Sequence, residues 1–230
     1  MSWNRRLTIQ LLRHEAEELL GVLETPKYWR ELAQGHESAG DWDNALGVYT
    51  QALEKWPNDS EFHRGRGGVQ LELKQWDKAL ADFSKAIELT PNGGATPWSY
   101  LGRASTYRGL GRKDDAIDDL TKATERWPKL YDAWAWRGQF YRDLEQWDKS
   151  ADDLSKAVEL NPSWWPGYWD RAIARVHLKQ MDGAVADLRE AVKHGLPDAE
   201  QTLRNDNRLE ELRTRDDLKA LLVEVAKQKR

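Results

Sequence analysis

The sequence predicts an all-α fold, an α-α superhelix (solenoid) of five helix hairpins with N- and C-terminal capping helices. Three observations carry the prediction. Similar segments recur at a fixed spacing, apolar residues within each recur at three and four, and a proline closes each unit. Composition agrees: 40% of the 230 residues are hydrophobic and 32% charged. Thirteen tryptophans supply the apolar area that disordered chains lack.

The repeat is visible in "WDNALGVYTQALEKWP", "WDKALADFSKAIELTP" and "WDKSADDLSKAVELNP", which begin at Trp42, Trp76 and Trp147 and close at Pro57, Pro91 and Pro162. A fourth copy, "KDDAIDDLTKATERWP", ends at Pro128, and a fifth, "MDGAVADLREAVKHGLP", closes one residue late at Pro197. The period is 34 residues, with about three extra between Pro91 and Pro128 supplied by "PNGGATP". Ala45, Tyr49 and Ala52 form one helical stripe, and Ala116, Leu120 and Ala123 another. A second helical stretch precedes each stripe, such as "YDAWAWRGQFYRDL", and Gly or charged residues make the turn between them. Five hairpins are thus expected over 26–59, 60–93, 97–130, 131–164 and 165–198, each with an apolar face it cannot bury alone. Residues 1–25 are expected to cap the first, through a helix over 4–24 carrying Leu12, Leu19, Leu20 and Leu23. Beyond Pro197 the period fails, and Leu209, Leu212, Leu218, Leu221, Leu222 and Val225 point to capping helices over 199–230. The alternative is that this tail folds into the groove and fills it.

Residues 26–59 present Trp29, Leu32, Ala33, Ala45, Tyr49, Ala52 and Pro57, and the unit from Tyr131 presents Trp134, Gly138, Tyr141, Leu154, Ala157 and Pro162, with Ser150 where Ala is usual. This pattern resembles the tetratricopeptide repeat family, over most of the chain. The resemblance implies a groove, lined by the first helices, that binds an extended peptide or a helix.

Several function classes lose support. A net charge of -4 and a pI near 5.8 oppose phosphate-driven nucleic-acid binding. The absence of Cys removes disulfides, thiolate catalysis and Cys-ligated zinc. No apolar run approaches a membrane span, and Arg13, His14, Glu15, Glu17 and Glu18 sit where a secretory signal needs apolar residues, so a cytoplasmic protein is expected. "RGRGG" at 64–68 lacks the Gly-Lys-Ser/Thr of a phosphate loop. "KDDAIDDL" and "SADDL" lack calcium-loop spacing, and the five His lack HExxH spacing. No catalytic residue, metal or cofactor is expected.

Two departures from the repeat carry information. The first-helix position that is Leu32 becomes Arg66, Arg103, Arg137 and Arg171, while the second-helix position that is Val48 becomes Asp82, Asp119, Asp153 and Asp187. Leu goes with Val and Arg with Asp, so helix-to-helix ion pairs are expected; an arginine ladder for phosphate or RNA is the alternative. Gly67 sits where the family has a small packing residue, and Gly65 and Gly68 are expected to be tolerated packing glycines as well; the alternative is that they leave room for a ligand.

By register, the groove begins with Lys27, Arg30, Gln34, Glu61 and Arg64 and continues with Trp98, Leu101, Arg108, Ala135, Gln139, Arg142, Trp169, Ile173 and Val176; Trp136 is a further candidate for exposure. The family's carboxylate clamp uses Lys and Asn, but this chain has Arg30 and Gln34, then Gly65, Trp98 and Gly102, so the clamp is not recognisable. Trp and Arg are enriched at binding hot spots. The expectation is therefore a non-enzymatic scaffold or adaptor for a protein or peptide segment, with no nucleic acid and no membrane. The alternatives are a regulatory subunit for a separate enzyme, a nucleic-acid-binding helical repeat, and self-association through exposed Trp.

Overall fold

A computed structural model of the protein describes residues 12–16, 21, 25–90 and 96–228, and every regular element among them is helical. Residues 12–16 are helical. Most of the helix expected over 4–24, including Leu19, Leu20 and Leu23, lies outside the described residues. The chain divides into two compact units, Met1–Ala116 and Ile117–Arg230.

The first unit holds α1 (Pro26–Ser38), α2 (Trp42–Lys55), α3 (Ser60–Glu72), α4 (Trp76–Glu88), α5 (Pro97–Gly109) and the start of α6 (Lys113–Arg126). The second holds the rest of α6, then α7 (Tyr131–Asp143), α8 (Trp147–Leu160), α9 (Trp165–His177) and α10 (Met181–Lys193). It ends with α11 (Ala199–Asn205), a 3-10 helix (Asn207–Leu212) and α12 (Asp216–Gln228). In the first unit α1 to α5 each pack on the next, in the second α7 to α10 do, and first helices also meet: α3 touches α5, and α7 touches α9.

Local chemistry starts and stops these helices. Thr25 and Asp59 accept backbone N–H groups of α1 and α3 with their side chains, and Pro26 and Pro97 occupy first-turn positions where no donor is needed. Every hairpin turn passes through one left-handed residue: Gly40 (φ 71°), Lys74 (56°), Gly111 (73°), Glu145 (57°) and Lys179 (61°). The following N–H donates five residues back, as from Gln75 to the Gln70 carbonyl (2.8 Å) and from Gln146 to Tyr141 (2.9 Å). That bond closes a Schellman-type helix end.

In the first unit Ala33, Ala45, Tyr49, Ala52, Phe62 and Val69 form a buried cluster. Trp56 lies edge-on to Trp29 and tilted against Phe62, covering the end of the first hairpin. The tryptophans that open second helices wedge against the next first helix. The Trp76 ring leaves no room for a Cβ on Gly109, and Trp147 stacks on His177 with ring centroids 3.8 Å apart.

The arginines on the packing side make forked, two-bond contacts. Arg66 donates Nε and Nη2 to Asp82 (2.7 and 2.8 Å), Arg137 to Asp153 (2.7 and 2.9 Å) and Arg171 to Asp187 (2.9 and 2.6 Å). Each fork matches a planar guanidinium to a planar carboxylate, the strong geometry for such pairs. The remaining nitrogen reaches back to the preceding second helix. Arg103 donates to Ser84 (3.2 Å), Arg137 to Thr121 (3.2 Å) and Arg171 to Ser155 (3.0 Å). Arg103 and Asp119 fall in different units. The hydrogen bonds from Arg137 raise its own pKa through the Asp153 carboxylate.

Candidate functional site

The first-helix side of the first unit holds a cleft of about 260 Å³, lined by Gln34, Glu37, Trp42, Arg64, Gly68 and Glu72 among others. Its depth comes from a close approach. Tyr49 of α2 presses its ring against Gly65 of α3, where a Cβ would sit 2.4 Å from the ring. The Tyr49 hydroxyl donates to Glu37 Oε1 (2.7 Å), and burial with that carboxylate holds the phenol far above its ordinary pKa. Gly65 is therefore a packing glycine filled by an aromatic ring, and the alternative that it leaves room for a ligand falls away. Gly68 differs: a Cβ there meets nothing within 4 Å, and the residue lines the cleft.

Arg64 reaches this cleft with its Nε buried and unpartnered. Arg30 has a buried, unpartnered Nε as well, but its charge is met by carboxylates. It donates to Asp59 Oδ2 (3.2 Å), pairs with Glu61 (2.8 Å) and lies over the Phe62 ring. Further along, Trp98 on α5 is 47% exposed and Arg108 is exposed. Leu101, expected in the groove, is 1% exposed and belongs to the core. A helix turn has more than two faces, and Leu101 takes the one that packs.

In the second unit Trp136 on α7 is 36% exposed. Gln139 and Arg142, one turn on, converge on a buried carboxylate of the next first helix. Gln139 donates Nε2 to Asp170 Oδ2 (2.8 Å), and Arg142 Nη1 donates to Asp170 Oδ1. The sequence reading missed Asp170, although it is the only Asp at a register occupied elsewhere by Glu31, Gly65, Gly102 and Trp136. That uniqueness was the available signal.

Trp169 is the larger correction. Expected to point into an open groove, it is 7% exposed and joins a core with Ile173, Val176, Leu188, Leu209 and Leu212. The 3-10 helix packs on α9, and Arg208 sits over the Trp169 ring at 5.6 Å. Asp206 holds Arg208 there through Nε (3.0 Å) and Nη2 (2.7 Å), and its own carboxyl is held below the usual range by those bonds. The C-terminal segment thus both closes the last hairpin and covers the α9 side chains expected in the groove. Ion pairs from Lys179 to Glu211, Arg189 to Glu224 and Arg215 to Asp182 tie it down.

Among the described residues no group of His, Cys, Asp and Glu could hold a metal ion. No described helix is long and apolar enough to cross a membrane.

Paired helices with Schellman-type turns, repeated every 34 residues, define a helical-repeat protein. A sequence model of the tetratricopeptide repeat matches residues 30–94 and 101–164, more than half of the chain. The chain belongs to the tetratricopeptide repeat family. A search of curated proteins found no match. Solved structures with the same fold include TTC0263, a thermophilic TPR protein of Thermus thermophilus (TM-score 0.63, 22% identity, covering 80% of this chain and 99% of that one). MamA of Desulfovibrio magneticus RS-1 is similar too (TM-score 0.63, 20% identity, 73% and 93% covered). So is YrrB, a TPR protein with an unusual peptide-binding site (TM-score 0.57, 18% identity, 79% and 91% covered). At these identities the likeness establishes the fold, and the family's fold is in general a protein–protein interaction scaffold.

Proposed function

We propose that the protein is a non-enzymatic scaffold whose first-helix faces hold a peptide or protein segment. The observation that carries this reading is the exposure of Trp98 and Trp136 on first helices, while Trp169 in the last repeat is covered. A tryptophan left in water forgoes the largest apolar burial of any side chain, and on binding proteins such residues anchor partners. The cleft beside Gln34, Arg64 and Gly68 supplies polar groups that fix register along a bound chain. The presence of an unusual peptide-binding site in YrrB supports a peptide ligand.

Phosphate or RNA binding through an arginine ladder is disfavoured. Arg66, Arg137 and Arg171 each spend two donors on a carboxylate, so little positive field remains for a phosphate. The test is affinity capture from native lysate with wild type and Trp98→Ala/Trp136→Ala. Equal melting temperatures with at least about tenfold lower recovery of the retained proteins are expected, as for loss of hot-spot contacts. Recovery of the same proteins at equal yield contradicts the assignment.

A further inference from the structure

A cleft of about 360 Å³ opens between the second helices α2 and α4 of the first unit, against α3. Leu46 and Thr50 of α2, Arg66 of α3, and Lys78, Ala81 and Asp82 of α4 line it among others. The places compared with the family's carboxylate clamp, Arg30, Gln34 and Gly65, do not. The cleft interrupts a regular device. In later repeats the arginine Nη1 at this register donates to a hydroxyl on the preceding second helix, from Arg103 to Ser84, Arg137 to Thr121 and Arg171 to Ser155. Thr50 holds the equivalent place ahead of Arg66, yet among the described residues Arg66 makes only its fork onto Asp82. Its side chain is accordingly 23% exposed, against 14% for Arg137 and 13% for Arg171. The fork fixes the guanidinium plane, so Nη1 still points towards α2, and the cleft takes the place of the missing contact.

This open donor has a second cation beside it. Lys78 is exposed and makes no ion pair among the described residues. Asp82 is the only carboxylate among the lining residues, and it is 5% exposed. Its oxygens are taken by the Arg66 fork and by His63 Nδ1 (2.9 Å). Two cations facing one spent carboxylate leave the lining with a net positive charge of one. A cationic ligand meets like charge there. A phosphate dianion overcompensates and sets net negative charge beside the buried Asp82. A single carboxylate matches the charge, accepting from Nη1 with one oxygen and from the lysine Nζ with the other.

We propose that this cleft is a carboxylate site, in which Arg66 Nη1 and Lys78 Nζ hold one carboxylate from a partner's acidic side chain or from a small organic acid. The full chain, labelled with nitrogen-15, is titrated with propionate, phosphate and propylammonium at constant ionic strength, with chloride making up the balance. The Arg66 Nε–H resonance, anchored by its bond to Asp82, is followed. A saturable shift is expected with propionate and none with propylammonium. Lys78→Ala is expected to weaken propionate binding about twofold to fivefold, as loss of an exposed charge pair does. Thr50→Glu, which supplies a carboxylate from α2 itself, is expected to abolish the response. Both positions are exposed and Arg66 keeps its fork, so the fold survives either change. The capped peptide acetyl-Ala-Glu-Ala-amide separates the two sources: saturation by it assigns a partner's side chain, and saturation by propionate alone assigns a small acid. A linear response to propionate, or propionate binding unchanged in either variant, overturns the proposal. Saturation by phosphate at lower concentration than propionate overturns it too. Each of these outcomes leaves the Trp98 and Trp136 surface untouched.

Discussion

Arg137 sits half-buried between helices, where a lone guanidinium would be untenable. Its fork onto Asp153 and its bonds to Thr121 and Thr124 use both ends of the group. Burial pushes the Asp153 carboxyl up in pKa, against the hydrogen bonds and the charge of Arg137 that pull it down. Arg137→Leu is expected to destabilise by about 3 kcal/mol, because it strands a buried carboxylate, whereas Arg137→Leu with Asp153→Val should cost about 1 kcal/mol or less. Urea midpoints check this; equal midpoints for the single and double variants refute the pairing. The glycines of α3 give a second contrast. Gly65→Ala drives a Cβ into the Tyr49 ring and should destabilise by about 1–3 kcal/mol. Gly68→Ala meets open space and should stabilise by up to about 1 kcal/mol through helix propensity. The sequence shows three glycines in "RGRGG" but not which one a ring fills, because the answer depends on Tyr49 sixteen residues earlier. Gly102 repeats the arrangement against Phe83, so a large residue on one second helix goes with glycine on the next first helix.

Hairpins are the elements most legible in the sequence, since prolines, apolar stripes and the 34-residue period all mark them. Their turns are less legible. Lys74, Glu145 and Lys179 adopt the left-handed conformation that Gly40 and Gly111 adopt without cost, and no residue preference announces it. Replacing any of the three by Gly should stabilise by about 0.5–1 kcal/mol, the relief being partly offset by unfolded-state entropy. Thermal midpoints lower than wild type would contradict this. The C-terminal segment was least legible, because its period is lost and its contacts are long-range. Its anchor is Asp206, which accepts from the Arg208 backbone and guanidinium and is thereby held below the ordinary carboxylate pKa. A depressed folded pKa contributes stability above the unfolded value and loses it as pH falls through the folded value. The clamp should therefore persist at neutral pH and weaken only below about pH 4. Asp206→Asn should show at pH 7 the lowered amide protection, relative to the intrinsic exchange rate at that pH, around Leu209 and Leu212 that wild type shows only in acid. Unchanged exchange in the variant would remove Asp206 from this role.

Across the whole molecule, the same repeat is used for different ends. Register assigns side chains to faces, which is why Trp98 could be picked out as a groove candidate, whereas Trp136, at the register of Gly65 and Gly102, is a candidate for exposure apart from it. Register cannot see what a non-repeating segment does, and Trp169 and its neighbours disappeared under such a segment. The scaffold reading therefore rests on surfaces that lie before the last repeat. Removing residues 199–230 should expose Leu188, Ile173 and Trp169 together and cause self-association, detectable by sedimentation, as large bare apolar patches do. A monodisperse truncated protein would argue against the capping role.

The most direct test of the interaction surface is oxidative footprinting of tryptophans, with and without a captured partner. In the free protein Trp98 and Trp136 should react readily and Trp169 slowly. With the partner bound, Trp98 and Trp136 should become protected while Trp169 stays unchanged. A bound partner that leaves both Trp98 and Trp136 as reactive as before would contradict the account.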